Sequence, residues 1–422
     1  MTLENERPIA RSKQDVNASL FGLPGPLLNL IPMAGVQIGT DSYHTLRNIK
    51  KEKQNYRSQL KRDDMLLSDK NLRPLERDIT MAAVDGTHKP IRLLWKDITV
   101  QAAIIVGNEE DAELGYDCFI GTQKHAVGNT AISSALMLAM QLKLAASAKH
   151  NVVQWDGSFA SVLIELNQTF ASLSPDSSSS NSWKRKKNKA KIIHGTVTTE
   201  FIKRADQALL DFYKMLNSNP ETRVYASVPK YTTRSELGEK YSWNEEMEDR
   251  MLMTRLLEKG EYTRPVPLKT DDKEPSHRDD WHLKLMPESA IPPEYRVFKN
   301  QEERKHIRDE IEKLCSDLHI FYYRPSALAP ALRVELPGHV AKNKEQMNIV
   351  MNILKKQYFD DISLMEPYYL RVADMLAKRV SRTIEAVRQI AVTTMNELRQ
   401  NDGDDGDFED IYFGMGSFRT ED

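Results

Sequence analysis

Two stretches of the sequence end in the same pattern of residues. The stretches "MAAVDGTHKP" and "VVQWDGSFAS" each pass from small or apolar residues to an Asp, a Gly and a hydroxyl residue. The pattern predicts Asp85 and Asp156 at strand ends, where carboxylate oxygens can hold one or two hard divalent ions. Glycine after each Asp allows a sharp turn and a close approach of a substrate backbone. These residue types predict metal-assisted phosphodiester cleavage, in which the ion activates water and neutralises charge on the phosphate.

An Asp-Gly pair has a second explanation, which is the turn of a β-hairpin. For "DGTHKPIRLL" taken alone, the hairpin turn is the favoured interpretation. The stretch "WDGSF" differs, because the strand before it is wholly apolar and follows a helix predicted to be buried. The sequence therefore leaves both interpretations open for Asp85 and favours the metal-site interpretation for Asp156.

The composition is that of a globular protein without a strong charge preference. The chain has 422 residues, a net charge of −2, 40% hydrophobic and 28% charged residues. Binding to nucleic acid would therefore require a local concentration of positive charge. Two cysteines, Cys118 and Cys315, argue against a disulfide framework and a cysteine zinc site. No signal-peptide pattern and no membrane-spanning apolar stretch is found, so we expect a cytoplasmic protein that does not enter a membrane.

The elements around the two Asp-Gly pairs follow a recognisable order. Three β-prone runs, "ITMAAVDG", "IRLLWKDI" and "VQAAIIVGN", predict an antiparallel meander. A helix over "GNTAISSALMLAMQLKLAASAKH" and an internal strand over "NVVQWDG" come next. A meander, a helix and an internal strand form the order of the ribonuclease H-like fold, in which carboxylates of the first and fourth strands share a metal site. The predicted class is α/β, with a ribonuclease H-like mixed sheet flanked by helices, an N-terminal arm and helical insertions.

Other segments carry candidate contacts with DNA or with a partner. The segment 172–192 is Ser-rich and then Lys-rich, which is typical of a solvated loop. Alternatively, the basic residues of this segment bind the phosphate backbone of DNA; they are Lys184, Arg185, Lys186 and Lys187. The segment "PYYLRVADMLAKRVSRTIEAVRQIAVTTMNEL" predicts one long helix with an apolar stripe.

The order of these motifs between residues 80 and 385 resembles that of the NurA nuclease family. The resemblance lies in "AAVDGT", "VVQWDGS", "RVYASVPKYTTRSEL", "LRVELPG" and "EPYYLRVADMLAKR", with substantial divergence between them. NurA proteins are prokaryotic metal-dependent nucleases that work with a HerA-type hexameric ATPase in DNA end processing, and they commonly form dimers. The resemblance thus implies a DNA exonuclease or endonuclease that uses Mn²⁺ or Mg²⁺, forms a homodimer and serves DNA repair or antiviral defence.

Composition and the resemblance together predict a domain organisation. Residues 1–40 form an N-terminal arm, which either packs on its own domain or docks on a partner. Its Gly- and Pro-rich apolar patch predicts turns and short extended pieces rather than a long helix. Residues 41–400 form the nuclease domain, with a charged loop at 261–292, and residues 401–422 form an acidic tail typical of disorder.

Four site residues follow from the resemblance. Asp85 and Asp156 match its two strand-end metal ligands, and Lys230 matches a family lysine, where a cation can pair with phosphate. The alternative for Lys230 is a lysine at a strand end on the surface. In the turn after Lys230, Arg234 is a further predicted DNA contact. Asp374 stands where the family usually has a His, and we predict it as a third catalytic and metal-binding carboxylate; the alternative is an exposed Asp of no special role.

The sequence also departs from the family. The family's carboxylate on the helix between the two Asp strands is absent, and Glu113, Asp117 and Glu165 are only possible substitutes. Glu366 stands where the family usually has a Tyr. Glu335 is expected to line the groove or to pair with a base. These departures favour an alternative function, a catalytically degenerate NurA-like subunit that binds and regulates the ATPase, and an unrelated ribonuclease H-like RNase or resolvase is a third hypothesis.

Overall fold

The computed structural model describes most of the chain. The described residues are 25–93, 96–108, 114–126, 128–173, 195–230, 235–243, 247–268, 282–358 and 364–402. The predicted DNA contacts Lys184, Arg185, Lys186, Lys187 and Arg234, the acidic tail from residue 403 and the possible substitute Glu113 lie outside the described residues.

The described strands form one mixed sheet of ten strands. Its order is β1-β7-β9-β10-β6-β5-β2-β3-β4, and β8 pairs with the outer side of β9. The pairs β2–β5 and β5–β6 are parallel and the others are antiparallel. The strands are β1 Leu66–Ser68, β2 Met81–Arg92, β3 Asp97–Gly107, β4 Gly115–Gln123, β5 Val152–Trp155, β6 Val224–Ser227, β7 Glu261–Thr263, β8 Val266–Pro267, β9 Leu318–Tyr323 and β10 Leu332–Pro337.

Helices cover both faces of the sheet. The alternation of side chains along β2 sends Ala83 towards one layer and Gly86 towards the other, where Gln141 approaches it. The helices of the described residues are α1 Gly25–Arg62, α2 Asn129–Ser147, α3 Phe159–Leu173, α4 Thr196–Leu216, α5 Glu236–Lys240, α6 Asp249–Leu256, α7 Gln301–Ser316, α8 Gly338–Ala341, α9 Lys344–Lys356, α10 Tyr368–Arg382 and α11 Ile384–Asp402.

The central strands are buried on both faces because each face is covered. Every residue of β5, β6, β9 and β10 is buried, as expected for strands between two helical layers. One layer packs α9 and α10 against the sheet through Val350 and Leu370. In length and composition α2 could cross a membrane, yet 56% of its most apolar window is buried inside the protein, as in a core helix.

The chain divides at residue 63 into two compact units, and the first contains α1. This helix of 38 residues begins at Gly25 and continues through Pro32, so the prediction of turns and extended pieces was wrong for residues 25–40. Helix propagation costs much less than nucleation, and the charged stretch after residue 40 is rich in helix-forming residues. Its apolar side chains between Leu30 and Ile38 are exposed.

Three further expectations were wrong in detail. Strand β2 does not end at Asp85 but continues to Arg92, so no hairpin turn lies at the first Asp-Gly pair. The predicted long C-terminal helix is two helices, α10 and α11, which meet at Thr383. The segment 261–292, predicted as a loop, contains the short strands β7 and β8.

Candidate active site

Asp85 and Asp156 lie beside each other on neighbouring parallel strands. Val84 of β2 pairs with Trp155 of β5, so the next residue of each strand is the Asp. The backbone N–H of Asp156 donates to the carbonyl of Val84 at 3.2 Å, which holds the two chains together at this point. The alternation along β2 places Asp85 on the same face as Ala83, which is the face covered by α10.

The turn after Asp156 is held by contacts from two other strands. Gly157 has φ +124°, a conformation that is essentially restricted to glycine. The Ser227 hydroxyl donates to the Gly157 carbonyl. Glu335 of β10 accepts hydrogen bonds from the Ser158 hydroxyl at 2.8 Å and from the Phe159 N–H at 3.0 Å. The turn is thereby fixed to β6 and β10.

Glu335 has one of the two roles that the sequence predicts for it. It is fully buried on the face of the sheet opposite the carboxylates, at the N-terminus of α3, and it also accepts a hydrogen bond from Arg333 at 3.1 Å. Of the two expected roles, pairing with a basic side chain is therefore observed, and lining the groove is not. Partial positive charge at a helix N-terminus stabilises a carboxylate in this position.

Helix α10 supplies a third carboxylate. It packs on β2 and β3 through a stripe of buried residues that includes Leu370, Ala373 and Ala377. Asp374 follows Ala373 at the border of this stripe, and its side chain is 17% exposed. Carboxylate oxygens of Asp85, Asp156 and Asp374 all lie within 4.8 Å of one another. The three acids predicted as metal ligands thus form one cluster.

Lys230 lies at the centre of this cluster. Its Nζ is 2.7 Å from Oδ2 of Asp156, 3.1 Å from Oδ1 of Asp374 and 3.7 Å from Oδ2 of Asp85. A fourth carboxylate, Glu366, places Oε2 at 2.9 Å from the same nitrogen. Lys230 therefore contacts four acids from three separate parts of the chain.

Burial and neighbouring charges shift the pKa values of the residues in the cluster in different directions. Burial and the neighbouring Asp156 carboxylate raise the pKa of Asp85 to about 9, and Lys230 offsets this only in part. Burial also raises the pKa of Glu366. Burial opposes the charge of Lys230, but the Asp156 and Asp85 carboxylates outweigh it and raise the lysine pKa. At Asp374 burial is outweighed by the Lys378 hydrogen bond and by Lys230, so its pKa is lowered.

The donor set of the cluster fits a hard divalent cation. All of its candidate ligand atoms are carboxylate oxygens, the type preferred by Mg²⁺, Ca²⁺ and Mn²⁺. The three oxygens are close enough to share one ion. The ammonium of Lys230 in their midst is a further sign that this position favours positive charge.

Two acids that could replace the missing helix carboxylate, Asp117 and Glu165, lie outside the cluster. Asp117 binds Arg204 at 2.6 Å and Lys143 at 3.0 Å, and Glu165 accepts a hydrogen bond from Ser134 at 2.9 Å. Neither belongs to the described group of carboxylates that could hold a metal. Glu366 was noted in the sequence only as a departure from the resemblance, and no local pattern signals its role. Its distance of eight residues from Asp374, across the start of α10, is the one hint.

The sheet order, the helices on both faces and the carboxylates on β2, after β5 and on α10 define a mixed α/β protein with a candidate site for a divalent ion. The fold is similar to that of the NurA nuclease from Sulfolobus solfataricus, with a TM-score of 0.50 and 14% identity over 86% of this chain and 97% of that chain. A structure of NurA bound to dAMP and manganese has a TM-score of 0.48 at 13% identity, covering 81% of this chain and 92% of that chain. Endonuclease V from Bacillus subtilis has a TM-score of 0.31 at 10% identity, covering 81% and 94%.

No protein-family model matches the sequence, and no curated protein matches it. The chain has a NurA-like fold at a large sequence distance, so the fold predicted from the resemblance is confirmed.

Proposed function

We propose that this protein is a divalent-metal-dependent DNA nuclease that hydrolyses phosphodiester bonds. The observation that carries the proposal is the convergence of Asp85, Asp156 and Asp374 around one point of a NurA-like fold. The three acids come from a strand, a strand end and a distant helix. Such convergence of partly buried carboxylates is unfavourable unless a cation compensates it, because like charges repel.

The residues of the site would have different roles in hydrolysis. Asp85, Asp156 and Asp374 would hold Mn²⁺ or Mg²⁺ through their oxygens. When bound, the ion supplies Lewis-acid polarisation of the scissile phosphate and makes the attacking water more acidic. Lys230, on the same rim of the sheet, supplies a cation that can pair with a phosphate oxygen. Gly157 leaves room for the substrate backbone beside Asp156.

DNA as the substrate and a HerA-type hexameric ATPase as the partner belong to the same proposal. The net charge of −2 gives the whole chain little general attraction for DNA. Delivery of DNA by an ATPase ring would remove the need for a broad basic surface. A homodimer in the cytoplasm, acting in DNA end processing or in defence against foreign DNA, completes the proposed setting.

The test compares the wild-type protein with Asp156→Asn on linear double-stranded and single-stranded DNA. Each reaction contains Mn²⁺, Mg²⁺ or EDTA, with and without the ATPase and ATP. We expect metal-dependent cleavage by the wild type and a loss of at least about 100-fold in the variant, because a carboxylate that would hold the ion is removed. Asp309→Asn, an exposed acid of α7, is the control and should cleave like the wild type. Equal cleavage by Asp156→Asn and the wild type would refute the assignment.

A second candidate function is a degenerate subunit that regulates the ATPase. One observation favours it: helix α2, between the two Asp strands, contains no acid. On this alternative the wild type cleaves no DNA under any of these conditions, yet forms a stable complex with the ATPase.

A further inference from the structure

The position of Lys230 has a consequence for how an ion reaches the site. Four carboxylates, those of Asp85, Asp156, Glu366 and Asp374, each offer an oxygen within 2.7–3.7 Å of the Lys230 ammonium. A divalent ion needs oxygens of the same cluster at about 2.0–2.6 Å. Three of these acids belong to the group whose oxygens lie within 4.8 Å of one another. An ion and the ammonium cannot both occupy the space between them.

We propose that the Lys230 ammonium occupies the cation position of this cluster and that a divalent ion binds only by displacing it. The proposal rests on the metal site of the proposed function. Lys230 then acts as an internal counter-ion, which neutralises part of the acidic cluster until an ion takes its place. Divalent-ion affinity is consequently weaker than the carboxylates alone would give.

The contacts of Lys230 are compatible with such an exchange. Its side chain is 21% exposed and reaches the cluster from the residue that follows β6 by three positions. A lysine carries its charge on a flexible four-carbon chain, so it can leave without movement of the strand. Without either cation, four partly buried carboxylates would face one another, which is unfavourable.

Lys378 provides a matched comparison within the same site. Its Nζ is 2.8 Å from Oδ2 of Asp374, but its side chain is 65% exposed and, in the contacts described, it meets one carboxylate from the rim. Lys378→Met and Lys230→Met remove the same charge and leave side chains of similar size. Only Lys230→Met empties the centre of the cluster.

The first experiment measures Mn²⁺ binding to both variants by calorimetry and thermal unfolding in EDTA and in Mn²⁺. For Lys230→Met we expect affinity at least about 10-fold tighter than for the wild type, because the competing cation is gone. In EDTA its Tm should be lower than that of the wild type, and Mn²⁺ should raise it more. Lys378→Met should bind Mn²⁺ within about 3-fold of the wild type, as expected for loss of an exposed ion pair. Unchanged or weaker affinity of Lys230→Met would overturn the proposal.

A second variant covers the case in which Lys230→Met does not fold. The double variant Lys230→Met with Glu366→Gln has the same total charge in the cluster as the wild type. Since its central position is empty, it should still bind Mn²⁺ more tightly than Glu366→Gln alone. If the double variant and Glu366→Gln bind Mn²⁺ with equal affinity, Lys230 does not compete with the ion, and the exchange is refuted.

The wild-type protein offers an independent measurement. Acetylation of lysines with a water-soluble reagent, mapped by mass spectrometry, reports how accessible each amine is. Saturating Mn²⁺ should raise the rate at Lys230 several-fold as its amine moves into solvent, while exposed Lys344 serves as the unchanged reference. A rate at Lys230 that Mn²⁺ leaves unchanged would contradict the exchange.

The results separate this inference from the proposed function. Tighter Mn²⁺ binding by Lys230→Met, with no DNA cleavage by the wild type in any metal, would keep the exchange and refute the nuclease. Metal-dependent cleavage by the wild type, with no gain in affinity on loss of Lys230, would keep the nuclease and refute the exchange. Absence of Mn²⁺ binding in every protein would refute both.

Discussion

At the scale of the residue, the two Asp-Gly pairs have glycine for different reasons. Gly157 has φ +124°, and a Cβ there would lie 3.1 Å from the indole nitrogen of Trp155. Gly86 lies inside β2, paired with β3, and its Cβ would meet the side chain of Gln141 at 2.7 Å. The first glycine is therefore required by backbone conformation, whereas a side chain at the second would have to displace the Gln141 side chain of α2.

This difference predicts unequal effects of alanine at the two positions. Gly157→Ala should lower the free energy of unfolding by about 1–3 kcal/mol, the usual cost of a strained backbone conformation. It should also reduce cleavage by at least about 10-fold, since the turn that holds Asp156 must shift. Gly86→Ala is the matched control and should cost less, because the flexible Gln141 side chain can move aside. Urea denaturation and the DNA cleavage assay measure both effects; equal stability and activity of the two variants would contradict this account.

From the sequence alone, only those site residues could be predicted that stand in a recognisable local pattern or in a matched motif. Asp85 and Asp156 stand in repeated Asp-Gly pairs after apolar runs, and the resemblance added Lys230 and Asp374. Their meeting, however, depends on the pairing of β2 with β5 and on the packing of α10, which are long-range contacts. Glu366 has no local pattern at all.

At the scale of the element, β10 connects the sheet to the turn after Asp156. Glu335 accepts from Ser158 and Phe159 with Oε2, and from Arg333 with Oε1. Arg333 in turn makes two hydrogen bonds with Glu236, at 2.7 and 2.8 Å. All three charged residues are buried, so each depends on its partners for charge balance.

Glu335→Gln should therefore destabilise the protein and displace the turn. The amide nitrogen would face either the Arg333 donor or the Ser158 and Phe159 donors, and a buried charge would lose its balance. We expect a loss of about 3 kcal/mol in the free energy of unfolding, typical of breaking a buried ion pair. Glu345→Gln, an exposed acid at the start of α9, is the control and should change it by less than about 0.5 kcal/mol. Urea denaturation decides, and equal stabilities of the two variants would show that Glu335 is dispensable.

The element boundaries that were wrong have a common physical cause. Beyond Asp85 the local Asp-Gly signal favours a turn, yet pairing with β3 continues from Gly86 to Arg92 and prolongs the strand. The apolar stripe of the C-terminal segment continues past Thr383, but Ile384 is buried in a separate cluster with Ile91 and Ile98, and the helix is interrupted there. Tertiary contacts outweigh local propensity at both places.

At the scale of the whole molecule, charge is balanced over the chain but not along it. The 59 basic and 61 acidic residues leave a net charge of −2, so sequence-independent attraction to DNA must come from local clusters. The densest basic run in the central part of the chain is "WKRKKNK", which includes residues 184–187. Its position in the sequence, between α3 and α4, separates it from the residues of the carboxylate cluster.

We predict that this run supplies most of the DNA affinity that the protein has without a partner. Replacing all four basic residues at 184–187 by Ala should raise the Kd for duplex DNA by about 10-fold or more at moderate salt. The slope of log K against log salt should fall by about 0.9 for each phosphate contact that is lost. Fluorescence anisotropy over a range of salt concentrations measures both quantities.

The control removes an equal charge at another surface, from Lys299, Lys305, Arg308 and Lys313 in and before α7. A smaller effect of this control separates the basic run from the change in net charge, because both variants reach the same total. If the two variants lose the same affinity and the same slope, the DNA attraction belongs to the overall charge, and 184–187 is only a solvated loop. If neither variant loses affinity, the prediction is refuted, and the residues around the carboxylate cluster become the next candidates for contact with DNA.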